Sequence, residues 1–513
     1  MKKIIIIALL AWSSLSFGQT EIKCMTYNIR LDHAGDLQDN WQYRRQELAS
    51  FVRSSGADFV GLQEALHDQY DYVKTELIPT YRVIGVGRDD GKTKGEYAPI
   101  YYKSDRWKLV KDSTFWLSQT PTIPSKGWDA NLHRICTFGI FEDLTNGDTI
   151  LVSNVHFDHQ AVEARKNSVI LLEKHIGHYT SSYGSLLMGD FNLEPSDSLY
   201  SKLTSFLLDA HQHAKAKSEI SVGTFNGFKL EGPFERRIDY TFYQPEKFLA
   251  LKYESLEPKT SQGRQLSDHF PVMTTFLSTS RFKARHFDSG SHQLPYRQLE
   301  PEKIASKMPL FVFMHGRGES GTDNWKQLIH GSMTLLNAAD QFGAMVIAPQ
   351  CGTDDYWATV TRKETNNGLQ FEFRDDEKAN PGLNAVMLLI DSLIQSGTID
   401  PDRIYIAGLS MGGMGTWELL WRMPGKFAAA APICGGGSPV KAGAISKTPI
   451  WAFHGVKDNV VQVYHSIRML EAVQKVGGKA KITLYENVGN NAWDFAMEDP
   501  ELLTWMFSKS KNK

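Results

Sequence analysis

The stretch Leu266-Ser267-Asp268-His269-Phe270-Pro271 follows a long polar loop and leads into an apolar run at residues 272–276. That run predicts a β-strand, so Asp268 and His269 stand side by side where a loop enters a sheet. A carboxylate and an imidazole placed in this way can bind a hard cation with one group and contact a scissile phosphate with the other. A solvated turn explains three polar residues as well, so the prediction of a site depends on the rest of the chain.

Apolar, strand-like runs that end on polar side chains recur upstream. They occupy residues 21–30, 57–64, 149–159 and 185–192, and another run at 237–242 carries a carboxylate inside it. One such strand end means little, because Asp and Asn often begin turns. Their repetition along some 240 residues is a poor match to chance and predicts one shared site. The polar residues of this set are Asn28, Glu64, His156, Asp190, Asn192, Asp239, Asp268 and His269.

Bulk composition limits the class of protein. A chain of 513 residues exceeds one ordinary core and predicts two or three domains. An apolar content of 42% and a charged content of 22% are typical of a soluble globular protein. A net charge of -2 gives no general attraction to polyanions, so nucleic acid stays open as a substrate but is not favoured. Composition does not decide the oligomeric state.

The first residues predict a signal peptide. Lys2 and Lys3 form a basic start, residues 4–12 an apolar segment too short to span a bilayer, and residues 16–18 a small-residue cleavage pattern. Cleavage after Gly18 predicts an exported protein, periplasmic or secreted. No later apolar run is long enough to predict a transmembrane segment. The four cysteines lack metal-binding spacing, and we expect buried free thiols rather than a disulfide.

Six short motifs in the first half carry a family resemblance. They are T-Y-N-I at 26–29, Q-E at 63–64, N-x-H-x-D at 154–158, G-D-F-N at 189–192, I-D-Y at 238–240 and S-D-H at 267–269. In this order they resemble the endonuclease/exonuclease/phosphatase superfamily over residues 20–277. The resemblance implies an α/β fold, a four-layer α/β sandwich in which helices flank two β-sheets. It also implies an exported metal-dependent phosphodiesterase or phosphatase.

The resemblance further implies a role for each residue of the first site. Glu64, Asp268 and Asn28 offer the oxygen ligands that suit Mg²⁺ or Mn²⁺. Asp190 is expected to activate the attacking water, and Asn192 to orient it. The residues expected to contact the phosphate are His269, His156 and Arg134. Asp239 is expected to keep His269 cationic, and Glu96 is the expected partner of His156. For Arg134 a surface ion pair is the alternative. The phosphate ester could belong to a sugar, a lipid or a nucleotide.

The second half has two glycine-containing turns of its own. A predicted buried strand at 309–314 runs into H-G-R-G-E-S-G at 315–321, where glycines let backbone N–H groups converge on an oxyanion. At 408–412, G-L-S-M-G lies between a predicted strand and a helix expected to start near Met414. With F-H-G-x-x-D at 453–458, these residues resemble the phospholipase/carboxylesterase-like and polyhydroxybutyrate-depolymerase-like esterases of the α/β-hydrolase superfamily. That resemblance implies Ser410 as nucleophile, Asp458 as acid, and the amides of Arg317 and Met411 as oxyanion hole.

One departure from the esterase pattern affects the chemistry. The family's base is a histidine in a G-H-x-x-W setting, whereas this chain reads G-N-N-A-W at 489–493, with Asn490 in its place. An amide cannot accept the serine proton, so acyl transfer should lose a factor on the order of 10⁴ to 10⁶. His454 is expected to support a strand end instead. An ester hydrolase with an unrecognised base and a non-catalytic binding module both remain open, and Asn490→His is expected to raise ester hydrolysis.

The predicted domain organisation follows from these motifs. Residues 1–18 form the signal peptide and residues 19–277 the endonuclease/exonuclease/phosphatase-like domain. A linker at 278–282 precedes the α/β-hydrolase domain at 283–513.

Overall fold

The computed structural model describes residues 21–365 and 368–512, so the predicted signal peptide lies outside the described residues. The chain forms two compact units, with the division between Ser280 and Arg281. Within the described residues, no helix combines the length and the apolar character needed to cross a membrane. All four cysteines are described and are buried free thiols, as expected.

The first unit contains two β-sheets and helices on their outer faces. Its strands are β1 (Glu21–Asn28), β2 (Phe59–Gln63), β3 (Tyr81–Ile84), β4 (Ile100–Lys103), β5 (Trp107–Trp116), β6 (Ile135–Asp143), β7 (Thr149–His156), β8 (Gly184–Asp190), β9 (Leu208–Asp209), β10 (Ala216–Glu219), β11 (Asp239–Tyr243), β12 (Phe248–Ser255) and β13 (Val272–Ser278). Its helices are α1 (Trp41–Ser54), α2 (His67–Leu77), α3 (Val162–Tyr179), α4 (Ser198–Thr204) and α5 (Ala210–His213). One sheet has the order β10-β12-β13-β1-β2-β4-β3 and the other β5-β6-β7-β8-β11-β9.

Three apolar clusters explain the layering. The central one joins residues of both sheets, including Phe59 of β2 and Phe141 of β6. A second cluster packs α1 and α2 on the first sheet, and a third packs α3 and α4 on the second. Because both faces of the central strands are covered, β2 and β8 are buried at every position rather than alternating. The arrangement is the predicted four-layer α/β sandwich.

Arg44 fastens the chain beside the predicted site. The side chain projects from α1, is fully buried, and donates hydrogen bonds to the backbone carbonyls of Ile29, Arg30, Asp39 and Leu266. These carbonyls belong to the loops that follow β1 and precede β13. One guanidinium group therefore holds both loops, and its charge is compensated by carbonyl dipoles.

The second unit is built on one eight-stranded sheet of order β14-β15-β17-β16-β20-β21-β22-β23. Its strands are β14 (Lys283–Asp288), β15 (Gln293–Leu299), β16 (Met308–Met314), β17 (Met345–Pro349), β18 (Val360–Thr365), β19 (Gly368–Phe373), β20 (Ile399–Leu409), β21 (Ala429–Ile433), β22 (Ile450–Gly455) and β23 (Ala480–Tyr485), of which β18 and β19 form a separate hairpin. Its helices are α6 (Ser332–Phe342), α7 (Pro381–Gln395), α8 (Met411–Arg422), α9 (Ala442–Ile445), α10 (Tyr464–Lys475), α11 (Trp493–Glu498) and α12 (Pro500–Phe507). Within the large sheet, the strands in the order β17-β16-β20-β21-β22-β23 pair in parallel. This is the predicted α/β-hydrolase fold.

The expected start of α8 near Met414 was wrong by one turn. The helix begins at Met411, directly after Ser410. Ser410 has φ 51°, and this single left-handed residue completes the turn from strand to helix without a connecting loop.

Replacing Arg44 should destabilise the first unit specifically. Arg44→Met leaves four backbone carbonyls without their donor, two of them in buried hydrogen bonds, and should cost about 2–4 kcal/mol of the unit's free energy of unfolding. Arg45→Met, at the exposed neighbouring position, is the matched control and should stay within about 0.5 kcal/mol. Urea unfolding followed by tryptophan fluorescence measures both, and equal effects would contradict this account.

Candidate active sites

The predicted residues of the first site meet where strands of the two sheets end. Asn28 ends β1, and Glu64 follows β2 directly. In the facing sheet, His156 pairs with Asp190 across parallel strands, and Asp190 pairs with Asp239 across antiparallel strands. Register alone thus aligns three functional side chains in one row.

Hydrogen bonds from one side chain connect the two sheets. Asn28 Nδ2 lies 3.0 Å from Glu64 Oε1 and 3.0 Å from Asp190 Oδ2, so it donates to a carboxylate on each side. Ser267 Oγ donates to the backbone oxygen of Asn28 at 2.7 Å and lies 3.3 Å from Asp268 Oδ1. Asp268 is therefore held on the same side of the site as Glu64.

His269 lies between two carboxylates. Its Nδ1 is 2.9 Å from Asp239 Oδ2, and its Nε2 is 3.9 Å from Asp190 Oδ2. Burial alone would lower the pKa of His269, but Asp239, followed by Asp190 and Asp268, raises it to about 10. The ring is therefore an imidazolium at neutral pH, with Nε2 directed towards the centre of the site.

Asp190 is a buried carboxylate with a pKa near neutrality. Burial and the neighbouring Asp239 raise its pKa to about 7, against the lowering effects of His269, Asn28 and the Asn192 amide. Asn192 N donates to Asp190 Oδ1 at 2.9 Å, and Asn192 Nδ2 donates to the Phe157 carbonyl at 3.2 Å. A carboxylate held in this way can accept a proton at neutral pH.

His156 lies among charged side chains of both signs. Its Nε2 is 3.7 Å from Asp190 and its Nδ1 is 3.6 Å from Glu96, which Arg88 contacts at 2.6 Å. Arg134 Nη1 lies 3.1 and 3.2 Å from the two ring nitrogens of His156. Burial, then Arg134 and Arg88, hold the pKa of His156 well below its usual value, so the ring is neutral.

Arg134 itself is buried, so a surface ion pair is the wrong description of it. Its guanidinium also contacts Asp158 at 3.4 Å and His159 Nδ1 at 3.0 Å. His159 and Arg88 were not among the predicted site residues. The N-x-H-x-D motif directly before His159 was the sequence signal that could have identified that residue. Arg88 belongs to a stretch rich in Gly, Lys and Asp that contains no motif, so no sequence signal pointed to it.

The oxygen donors fit a divalent cation. Asn28, Glu64 and Asp268 offer an amide and two carboxylates, the donor set that Mg²⁺ and Mn²⁺ prefer. Burial raises the pKa of Asp268, and the nearby Glu64 raises it further, which is the repulsion that a bound cation relieves. Asp190, Asp239 and His269 also bring one ligand atom each within 4.8 Å of one another. In this second group, however, the Nδ1 of His269 already contacts Asp239, so that nitrogen is not available to a cation.

The serine site of the second unit has the geometry of a nucleophile elbow. Ser410 follows β20 with φ 51° and ψ −111° and precedes the first turn of α8. A Cβ at Gly412 would collide with the carbonyl oxygen of Met314, so the close approach of β16 and α8 requires glycine there. Met411 and Arg317 each stand in the first turn of a helix, where backbone N–H groups lack intrahelical acceptors.

Asn490 lies beside Asp458, the residue expected to be the acid of this site. Asn490 Nδ2 donates to Asp458 Oδ2 at 2.7 Å, while Asp458 Oδ1 accepts from the amides of Val460 and Val461 at 2.9 Å. Burial would raise the pKa of Asp458, but His454, Asn490 and these amides hold it below its usual value. His454 is fully buried, with Nδ1 2.8 Å from Ser466 Oγ and Nε2 2.7 Å from the Val461 carbonyl.

Comparison with known proteins identifies both units. A family model described as Endonuclease/Exonuclease/phosphatase family matches residues 25–269, and one described as Phospholipase/Carboxylesterase matches residues 301–501. The structure of a mannosyl-6-phosphatase from Bacteroides thetaiotaomicron is 35% identical, covering 50% of this chain and 99% of that one, with a TM-score of 0.48. The structure of a thermostable esterase is 30% identical, covering 56% of this chain and 76% of that one, with a TM-score of 0.41.

A curated relative matches a smaller share of its own length. An uncharacterized secreted protein of Arthroderma benhamiae is 24% identical over 315 residues, which is 52% of this chain. The chain spans about a third, 31%, of the length of that relative. The chain belongs through residues 25–269 to the endonuclease/exonuclease/phosphatase family and through residues 301–501 to the phospholipase/carboxylesterase family, two families of hydrolases that act on ester bonds.

Proposed function

We propose that the first unit is a divalent-metal-dependent phosphoesterase that hydrolyses phosphate monoesters, with sugar phosphates as the first class to test. The proposal is supported above all by the way in which the two sheets bring their polar side chains together. Asn28 joins Glu64, an oxygen donor for a cation, to Asp190, a carboxylate whose pKa is near neutrality, and His269 lies beside Asp190. When bound by Glu64, Asp268 and Asn28, Mg²⁺ or Mn²⁺ would neutralise charge on the phosphoryl group.

The remaining roles in hydrolysis fall to side chains of this chain. Asp190 takes a proton from the attacking water, and its two oxygens are kept in place by Asn28 and by the Asn192 amide. The imidazolium of His269 donates from Nε2 to a phosphoryl oxygen, with Asp239 fixing the ring from behind. His156 offers a second contact from the opposite side of Asp190.

Charge favours a monoester over a diester. A phosphate monoester is a dianion at neutral pH. The site presents two buried cationic groups to it, His269 beside Asp190 and Arg134 beside His156. Asp158 offsets part of the Arg134 charge at 3.4 Å. The printed name of the Bacteroides thetaiotaomicron relative, a mannosyl-6-phosphatase, supports a sugar phosphate. Phosphodiesters, and lipid or nucleotide phosphates, are the other substrates that the assay below compares.

Export also belongs to the proposal. The basic and apolar segments at the start of the sequence support a signal peptide, and one relative is described as secreted. A periplasmic or extracellular enzyme would meet phosphate esters outside the cytoplasm.

Metal-dependent hydrolysis should be measurable and should require Asp190. We expect the purified protein to hydrolyse mannose 6-phosphate faster than bis(p-nitrophenyl) phosphate in Mg²⁺ or Mn²⁺. Excess EDTA should abolish this hydrolysis. Asp190→Ala should lower the rate about 10²- to 10⁴-fold, the usual contribution of a general base. Asp105→Ala, at an exposed turn of the same unit, is the control. A rate that survives EDTA, or an unaffected Asp190→Ala, would contradict the proposal.

Glu64 should set the affinity for the metal. Glu64→Gln removes one negative charge from the donor set and should raise the Mn²⁺ concentration for half-maximal activity by at least about tenfold, since even partners behind metal ligands are worth that much. A titration of activity against free Mn²⁺ measures the change. Glu163→Gln, on the exposed face of α3, serves as the matched control. An unchanged half-saturation point would exclude Glu64 as a ligand.

Asp239 should keep His269 protonated. Because Asp239 is the largest influence that raises the pKa of His269 to about 10, Asp239→Asn should lower that pKa towards neutrality. The histidine signals in an NMR pH titration of metal-free protein report this directly, and signals from histidines remote from the site are the internal control. An unchanged His269 titration would show that Asp239 does not hold its charge.

A further inference from the structure

The second unit lacks the histidine that serves as the family's base, and a replacement base has to come from elsewhere in the unit, which contains six histidines. They are His286, His292, His315, His330, His454 and His465. His286 and His292 belong to the β14–β15 hairpin, which β17 and β16 separate from β20. His315 bonds to the Gly316 carbonyl through Nδ1 and accepts from Cys351 N through Nε2, and both nitrogens of His454 are likewise occupied.

His465 and His330 remain, and their surroundings differ. His465 is buried between the rings of Phe371, Phe373 and Tyr464, and burial lowers its pKa to about 4. That ring is a poor proton acceptor and has aromatic rather than carboxylate neighbours. His330 is about a quarter exposed, and its Nε2 lies 3.6 Å from Glu319 Oε1.

Glu319 stands in the loop that carries the oxyanion amides. It ends the short helix Arg317–Glu319, which is separated from the end of β16 by two residues. A methyl group built on Gly316 would lie 3.0 Å from Glu319 Oε2 and 2.6 Å from Leu409 Cδ1, so Gly316 separates this carboxylate from the residue preceding Ser410. Glu319 is 8% exposed, and its Oε2 has no hydrogen-bond partner among the described residues.

His330 connects Glu319 to the segment in which the family base is missing. Its Nδ1 lies 4.0 Å from Asp494 Oδ1, and its ring packs on Trp493. Trp493 begins α11, directly after the short helix Asn490–Ala492. A carboxylate, an imidazole and a second carboxylate thus form a row that runs from the loop after β16 to the segment containing Asn490, on groups that the triad does not use.

We propose that Glu319, positioned by His330, is the general base and acid for Ser410, so that the second unit hydrolyses carboxylic esters without the family histidine. This activity is separate from the phosphoesterase proposed above and needs no metal. Because Oε2 of Glu319 has no hydrogen-bond partner among the described residues, a side-chain rotation that carries it towards Ser410 breaks no hydrogen bond at that oxygen. Burial raises the pKa of Glu319 to about 7, against the amides of Gly316 and Glu319, which suits proton transfer at neutral pH.

The proposed steps balance as ester hydrolysis. Glu319 takes the hydroxyl proton of Ser410 as Oγ bonds to the acyl carbon, and the amides of Arg317 and Met411 bind the oxyanion. The bond to the leaving alcohol then breaks, and the alcohol receives the proton from Glu319. Water attacks the acyl-enzyme and passes a proton to Glu319. That proton returns to Ser410 as the acyl bond breaks and the carboxylic acid leaves.

The test measures p-nitrophenyl acetate hydrolysis and fluorophosphonate labelling by the full chain in EDTA, which silences any metal-dependent activity. We expect labelling of wild type and its complete loss in Ser410→Ala. Glu319→Gln should lower both rates at least about 100-fold, and formate should restore part of the activity of Glu319→Ala. His330→Asn should lower kcat with little change in KM and shift the pH profile. His465→Asn, a buried histidine of the same unit outside the row, is the matched control.

A second background separates catalysis from support of the loop. In Asn490→His, a histidine stands beside Asp458 again, so activity should rise and Glu319→Gln should cost far less than in wild type. A loop role for Glu319 would instead give the same loss in both backgrounds and would overturn the proposal. Absence of Ser410 labelling in wild type, or equal rates for wild type and Glu319→Gln, would overturn it as well. If Glu319→Gln does not fold, His330→Asn in the two backgrounds decides in the same way.

Discussion

The paired hydrogen bonds of one amide fix the distance between the two sheets at the first site. Both N–H groups of Asn28 Nδ2 are used, one on Glu64 of its own sheet and one on Asp190 of the other. Deeper in the interior, Gln63 Nε2 donates to Asn154 Oδ1 at 2.7 Å and repeats the connection. The hydrogen bonds from Asn28 to Asp190 and from Gln63 to Asn154 are buried, so sliding one sheet past the other would leave buried polar groups without partners. The oxygen donors of Glu64 on one sheet and of Asp190 on the other therefore keep a constant separation.

Backbone strain occurs where the functional side chains project. Glu64, Asn192 and Ser410 follow their strands closely and have φ values of 64°, 47° and 51°. A left-handed conformation costs a residue with a Cβ on the order of 1 kcal/mol or more. In each case it turns the chain back over the end of the strand that it has just left. The side chain is thereby displayed at the sheet edge on a short, rigid support rather than on a loop.

Strand ends were the part of the first site that sequence could predict, because alternation and burial determine where a strand stops and register aligns its neighbours. Contacts made by loops could not be predicted. Arg88 reaches the site only through folding of a distant segment, whereas His159 lies next to a motif of the site and makes its contact from the loop that follows β7. The helix α2 was not predicted. Oxyanion amides, by contrast, follow from glycine spacing.

The second unit shows why loss of one residue does not by itself decide loss of function. Asn490 preserves the hydrogen bond that orients Asp458, so the replacement removes a proton acceptor without disturbing the acid. Ser410 nevertheless remains at φ 51°, a conformation that a passive binding surface would not require. A strained serine serves catalysis only with a proton acceptor, and Glu319 Oε2, which has no hydrogen-bond partner among the described residues, is the acceptor that we propose. The sequence alone hides this difference, because Glu319 precedes Ser410 by about 90 residues and only the fold brings their segments together.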